Sequence, residues 1–215
     1  MDTRRTVILV NGVLPDYEAA RRLFRDDDRI IAADGGTRHA FELGMNPHLV
    51  IGDLDSLGPE DKARLESGGT QFVAHPRGKD ETDLELALRQ ALATDCRSIL
   101  LLGALGGRLD QTLSNLALMT APALSGIEIR IDDGCEAAWF VRSRTEVRGR
   151  SGEIVSLIPW GGPVEGAVTD GLRWKLDGET LYPHEARGIS NELVVDNASI
   201  RIESGLLLVI HRRTF

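Results

Sequence analysis

Five short apolar runs, "TVILVNG", "RIIAADGG", "HLVIGD", "TQFVAH" and "SILLLGALGG", fall within roughly the first 120 residues, with helical patterns between them. In "PDYEAARRLFRD", Tyr17, Ala20, Leu23 and Phe24 share one helical face. "PEDKARLESGG" ends on glycine as short helices do, and "ETDLELALRQALATD" sets Leu84, Ala87, Leu88 and Ala91 at helical spacing. "LDQTLSNLALM" reads as a further helix after the last run. "SILLLGALGG" is apolar without alternation, as expected of a strand covered on both faces. Strand and helix in turn predict a mostly parallel sheet with right-handed crossovers and helices on both sides.

The grammar changes after "APALSG". From Ile127 onward, "IEIRID", "EAAWFVR", "EIVSLIPW", "ELVVDN", "SIRIES" and "LLLVIHR" follow one another with little helical period. Their separators include Asp133-Gly134, Gly161-Gly162, Asp177-Gly178 and Ser204-Gly205, which suit hairpins. The expectation is an α/β N-terminal domain over 1–126 and an all-β sandwich C-terminal domain over 127–215.

Hydrophobic residues make up 42% of the chain and charged residues 27%, enough apolar material for a proper core. The net charge of −8 gives no electrostatic footprint for nucleic acid or an anionic membrane. The apolar run in "MDTRRTVILVNG" is too short for a signal-peptide core, and no segment has the length of a membrane span. Cys96 and Cys135 lack metal-type spacing and fit thiols in a reducing compartment. A cytoplasmic protein is expected, with small molecules rather than nucleic acid or membrane as partners.

Asp34 follows the second apolar run, Asp53 and Asp55 the third, Asp80 and Asp83 the fourth, and Asp110 the fifth. In a parallel sheet all those strand ends point the same way, and ligands bind in the crevice outside them. Six carboxylates are therefore expected on one rim. Two like charges about 4 Å apart repel by roughly 4 kcal/mol at an effective dielectric near 20. A hard divalent cation such as Mg²⁺ suits all-oxygen ligands and leaves positions for phosphate. With an extended backbone, Asp53 and Asp55 project to the same side and face one ion. The alternative is that these aspartates are helix caps and turn formers in solvent.

Basic residues and glycines share the same loops. "ADGGTRHA" offers Gly35, Gly36 and Arg38, "HPRGKDETD" offers Arg77 and Lys79, and "GALGGRLDQ" offers Gly106, Gly107 and Arg108. Glycines admit an anion close to the backbone, and helix starts favour negative charge, so the set suits a metal–polyphosphate. "GALGGRLD" is neither a P-loop nor a G-x-G-x-x-G fingerprint. No Ser-His-Asp or Cys-His constellation stands out.

Taken in order, "ADGG", "GDLDS", "KDETD", "GGRLDQ", "GLRWKL" and "GISN" resemble the thiamine pyrophosphokinase family, from Ala33 to Asn191. The resemblance implies an α/β domain, a β-sandwich and a homodimer with active sites at the subunit interface. It also implies transfer of the pyrophosphoryl group of ATP to thiamine, giving thiamine diphosphate and AMP. By matching position, Asp53, Asp55 and Asp83, with Asp34 close by, are the implied magnesium ligands. Arg108 and Asp110 are the implied active-site pair, with Thr82 of "KDETD" near the phosphates. Trp174 is the implied stacking residue for the thiamine pyrimidine, supplied by the partner subunit, and Ser190 and Asn191 the implied pocket pair. Gln111 stands where many bacterial members have histidine. Arg38, Lys79 and Arg108 are expected to face the phosphates on charge, and Asp110 to orient the attacking hydroxyl or accept its proton.

Two rival functions remain open on sequence. One is a metal-dependent nucleotide pyrophosphohydrolase; the other is a non-catalytic sensor of thiamine or nucleotide.

Overall fold

The computed structural model describes residues 5–214; residues 1–4 and 215, the ends of the two expected domains, lie outside the described residues. Two compact units divide the chain between Gly134 and Cys135. Among the described residues no helix is long and apolar enough to cross a membrane.

The first unit contains β1 (Arg5–Leu9), β2 (Arg29–Ala33), β3 (Leu49–Gly52), β4 (Gln71–Ala74), β5 (Ser98–Leu102) and β6 (Glu128–Asp132). They pair in the order β6-β5-β1-β2-β3-β4, every pair parallel. Val7, Ile8 and Leu9 of β1 and Leu101 and Leu102 of β5 are wholly buried, so both sheet faces are covered. The connecting helices are α1 (Tyr17–Arg21), α2 (Thr37–Leu43), α3 (Pro59–Ser67), α4 (Asp83–Leu92) and α5 (Leu109–Leu118). Ala20 of α1, Ala40 and Leu43 of α2 and Leu65 of α3 join one core with Val7, Leu9, Ala32 and Val50. Helix α4 packs against β1, β2 and β3, and the alternation of side chains along those strands supplies its opposite face.

Local chemistry sets the helix ends. Asp16 caps α1, accepting from the Ala19 N–H at 2.9 Å. Pro59 opens α3, and Thr82 caps α4 by accepting from the Glu85 N–H at 3.2 Å. Helix α1 stops sooner than its apolar pattern predicts. Asp28 accepts from the Arg25 N–H at 2.7 Å and pairs with Arg5 at 2.6 Å, which draws the chain toward the sheet while Leu23 and Phe24 still pack on the core.

The segment "IEIRID" carries the alternation of an antiparallel strand, yet β6 runs parallel to β5, with Ile99 opposite Ile129. A crossover through α5 and a 3-10 turn at Pro122–Leu124 returns the chain in the same sense. Alternation reports the two faces of a strand, not its direction, so the change of grammar precedes the unit boundary.

The second unit is an antiparallel sandwich. One sheet has β7 (Glu136–Val141), β14 (Leu207–Arg212), β9 (Ile154–Pro159) and β12 (Asn191–Glu192) in that order. The other has β8 (Arg144–Arg148), β13 (Asn197–Arg201), β10 (Val164–Asp170) and β11 (Asp177–Leu181). Val155, Leu157, Leu207 and Val209 from the first and Val147, Ala167, Ala198 and Ile200 from the second fill a common core. Of the run "ELVVDN", only Glu192 at the end of β12 and Asn197 at the start of β13 are strand; between them Leu193 bridges to Leu172, and Val194 and Val195 stay exposed. Gly178, read as a hairpin residue, sits inside β11, where the pairing with β10 shifts register.

Candidate active site

At the carboxyl ends of the strands of the first unit lies a cleft of about 570 Å³. Asp34, Asp53 and Asp83 line it on one side, Arg38, Arg77 and Lys79 bring positive charge, and Gly106, Gly107 and Arg108 close another side.

Asp34, Asp53 and Asp55 form the acidic centre: one carboxylate oxygen from each lies within 4.8 Å of the others. The geometry differs from the extended backbone expected of "GDLDS". Leu54 is left-handed (φ 61°), its side chain packs on the core, and the Asp55 N–H donates to Asp53 Oδ1 at 3.2 Å. The two carboxylates converge by this turn rather than by strand alternation. Asp34 is also left-handed (φ 40°) and accepts from the Ser56 hydroxyl at 3.1 Å. Two of the three non-glycine residues with positive φ among the described residues are thus in this centre, as local strain is at functional sites. A side chain at Gly52 is excluded, because its Cβ would lie 2.7 Å from Asp34 Cβ.

The environments of the pair diverge. The Asp55 N–H and, more weakly, Arg77 hold Asp53 below the ordinary carboxylate range. Partial desolvation and the adjacent Asp53 carboxylate push Asp55 up, against the pull of Arg77. Arg77 spans both, with Nε 3.4 Å from Asp53 Oδ2 and Nη2 on Asp55 Oδ2.

Six converging carboxylates were expected; three meet. Asp83, at the start of α4, is held by Lys79 at 2.5 Å. Asp80 is exposed and outside the lining, and Asp110 pairs with Arg108 at 2.5 Å. That pairing holds Asp110 below the usual carboxylate range and raises Arg108. Thr82, the cap of α4, lines the cleft, as do Gly106 and Gly107. Gly35 and Gly36 do not: both are buried, and a Cβ on Gly36 would meet the Leu9 carbonyl at 2.1 Å. Their glycines serve close packing of the turn beneath the site.

Arg38 donates through Nη2 to the Asn11 and Gly12 carbonyls, at 3.1 and 2.6 Å. The Gly12 carbonyl also accepts from His39 Nε2 at 3.0 Å, which leaves Nδ1 to accept from the Tyr17 hydroxyl at 2.8 Å. Burial lowers the pKa of His39, so its ring is neutral around pH 7. Asn115, fixed to the Ala104 carbonyl at 2.8 Å, and Gln111 complete the wall. Tyr17, His39, Asn11 and Asn115 carry no sequence signal, since single polar residues announce nothing about where loops meet.

In the second unit Trp174 is half exposed. Asn191, expected in a ligand pocket, is 1% exposed and serves the main chain instead. Its Oδ1 accepts from the Trp174 N–H at 3.0 Å, and its Nδ2 donates to the Trp174 carbonyl at 2.7 Å. Ser190 is left-handed (φ 55°) and exposed, its N–H donating to the Ser156 hydroxyl at 3.0 Å.

The sequence matches two family models in succession. Residues 20–131 match the catalytic domain of thiamin pyrophosphokinase. Residues 143–207 match the vitamin B1 binding domain of thiamin pyrophosphokinase. The chain belongs to the thiamin pyrophosphokinase family. Among thiamin pyrophosphokinases, that of Bacillus subtilis is 28% identical over 96% of this chain and 98% of its own. Thiamine pyrophosphokinase 3 of Oryza sativa is 30% identical over 81% of this chain and 74% of its own. The crystal structure of the Geobacillus thermodenitrificans thiamin pyrophosphokinase superposes with a TM-score of 0.82 at 28% identity, covering 98% of each chain. That of the Bacillus subtilis thiamine pyrophosphokinase gives 0.88 at 23% identity, over 99% of this chain and 100% of the other, a likeness of fold. In this thiamin pyrophosphokinase family member, the acidic centre and the basic residues of the cleft fall inside the catalytic-domain match, and Trp174 and Asn191 inside the vitamin B1 binding match.

Proposed function

We propose that the chain transfers the pyrophosphoryl group of ATP to thiamine, yielding thiamine diphosphate and AMP, with Mg²⁺ held by Asp34, Asp53 and Asp55. The observation that carries this reading is the meeting of three carboxylates, two of which, Asp34 and Asp53, line one cleft with Arg38, Lys79 and Arg108 in a family catalytic domain. An all-oxygen, triply anionic donor set fits a hard divalent cation. When bound, the metal supplies charge neutralisation and a template for the phosphates.

Pyrophosphoryl transfer asks the protein for position and countercharge rather than for a covalent nucleophile. Arg38 and Lys79 face the phosphates from two sides of the cleft. Arg108 faces them at the start of α5, held in its fork by Asp110. Asp110 orients that guanidinium; its lowered pKa makes it a weak base near neutral pH. Lys79 keeps Asp83 neutralised, so Asp83 supports the centre from beside it. Trp174 stacks on the pyrimidine of thiamine, its ring exposed and its backbone fixed by Asn191.

The working form is a homodimer in which Trp174 of one chain serves the cleft of the other, and the enzyme is cytoplasmic. The resemblance of "GLRWKL" and "GISN" supports the dimer, as does the exposure of Trp174, Tyr182 and Ile189. The test is incubation with thiamine, ATP and Mg²⁺, with products separated by chromatography. Thiamine diphosphate and AMP in equal amounts are expected. ADP would overturn the reaction type, and AMP released without thiamine would mark a hydrolase instead.

A further inference from the structure

Arg77 lies in the segment between β4 and α4, two residues before Lys79, and lines the same cleft. Its guanidinium touches Asp53 and Asp55 together, on Oδ2 of each. The other oxygen of Asp53, Oδ1, already accepts the Asp55 N–H. Both Asp53 oxygens therefore have a positively polarised neighbour, and a cation drawn to the pair meets the charge of Arg77 as well as the carboxylates. The backbone N–H belongs to a turn anchored through Leu54 in the core, so moving it disturbs the fold. Arg77 is 79% exposed and rides a loop, so its release exposes little new surface.

Resting on the metal reading above, we propose that Arg77 is a displaceable internal countercation of the acidic centre. It steadies Asp53 and Asp55 against each other, yields their oxygens to the divalent metal, and then presents its guanidinium to the phosphates from within the cleft. Planar, permanently charged and forked, it matches a pair of carboxylates and a phosphate equally well. One side chain thus opposes metal binding alone and favours the metal–nucleotide complex, so the two ligands are captured together rather than metal first.

The experiment measures Mn²⁺ binding to the full-length protein without nucleotide, by loss of the free-ion paramagnetic resonance signal, alongside the KM for ATP. Arg77→Gln is expected to bind Mn²⁺ alone about two- to fivefold more tightly, the equivalent of one exposed ion pair. The same variant is expected to show a higher KM for ATP, with the KM for thiamine unchanged. Arg77→Lys, which keeps the charge, is expected to bind Mn²⁺ as the wild type does. Opposite signs for metal and nucleotide separate this role from loss of loop structure, which weakens both. Equal Mn²⁺ affinity in wild type and Arg77→Gln, or tightening by Arg77→Lys as well, overturns the inference and leaves the metal site standing. Absence of Mn²⁺ binding in every form overturns the metal site, and the inference with it.

Discussion

Asp55 carries opposed influences: burial and Asp53 disfavour its charge, while Arg77 favours it. Asp55→Asn removes a repulsive charge, so the fold is expected to survive with an unchanged or higher Tm while Mg²⁺-dependent AMP formation is lost. A thermal melt beside the product assay checks both halves; a drop in Tm would make the residue structural. Arg108 and Asp110 give a graded case. If Asp110 orients Arg108, Asp110→Asn lowers kcat by less than about tenfold, whereas an obligatory base would cost more. If Arg108 faces the phosphates as proposed, Arg108→Ala is expected to cost more than Asp110→Asn, because it removes the charge itself rather than its support. At this scale "GDLDS" displayed its carboxylates openly. That Lys79 would claim Asp83, and that Gly35 and Gly36 would be packing residues, was not legible: glycine reads alike whether it admits an anion or a neighbouring carbonyl.

Helix α2 joins the site to the core. His39 on its buried face binds the Gly12 carbonyl that also holds Arg38, and burial keeps its pKa below 6.5. A depressed folded pKa means the unfolded chain takes up the proton first. The stability from neutral His39 is therefore present above about pH 6.5 and lost as pH falls from there toward the folded pKa. The fall in Tm between pH 7 and pH 5 is expected to be shallower in His39→Gln than in the wild type, whatever the variant's absolute Tm. In β5, Leu101 is fully buried, and Leu101→Ala is expected to cost about 2–5 kcal/mol by chemical denaturation. The parallel strands were legible because burial on both faces leaves continuous apolar runs. Strands β8, β10 and β11 were not, since "RTEVR", "VEGAVTD" and "DGETL" mix charge and glycine with few apolar residues.

The whole molecule divides its chemistry, with the carboxylates and the basic residues of the cleft in one unit and Trp174 in the other. If the dimer pairs Trp174 of one chain with the cleft of its partner, two inactive variants repair each other. Asp55→Asn and Trp174→Ala chains, mixed and allowed to exchange subunits, are expected to regain roughly a quarter of wild-type activity, since half the dimers are mixed and each has one intact site. Activity no greater than the two separate variants would place Trp174 and the carboxylates of each site on one chain. The two-part architecture was visible in the change from alternating strand and helix to strands alone. The position of the change was not, because β6 wears an antiparallel pattern in a parallel ladder. The grip of Asn191 on the Trp174 main chain reaches further still. If Trp174 stacks on thiamine as proposed, its perch of backbone makes the indole an exchangeable fitting: phenylalanine or tyrosine there inherits the same seat, and preference among ring-modified vitamins becomes tunable by one codon.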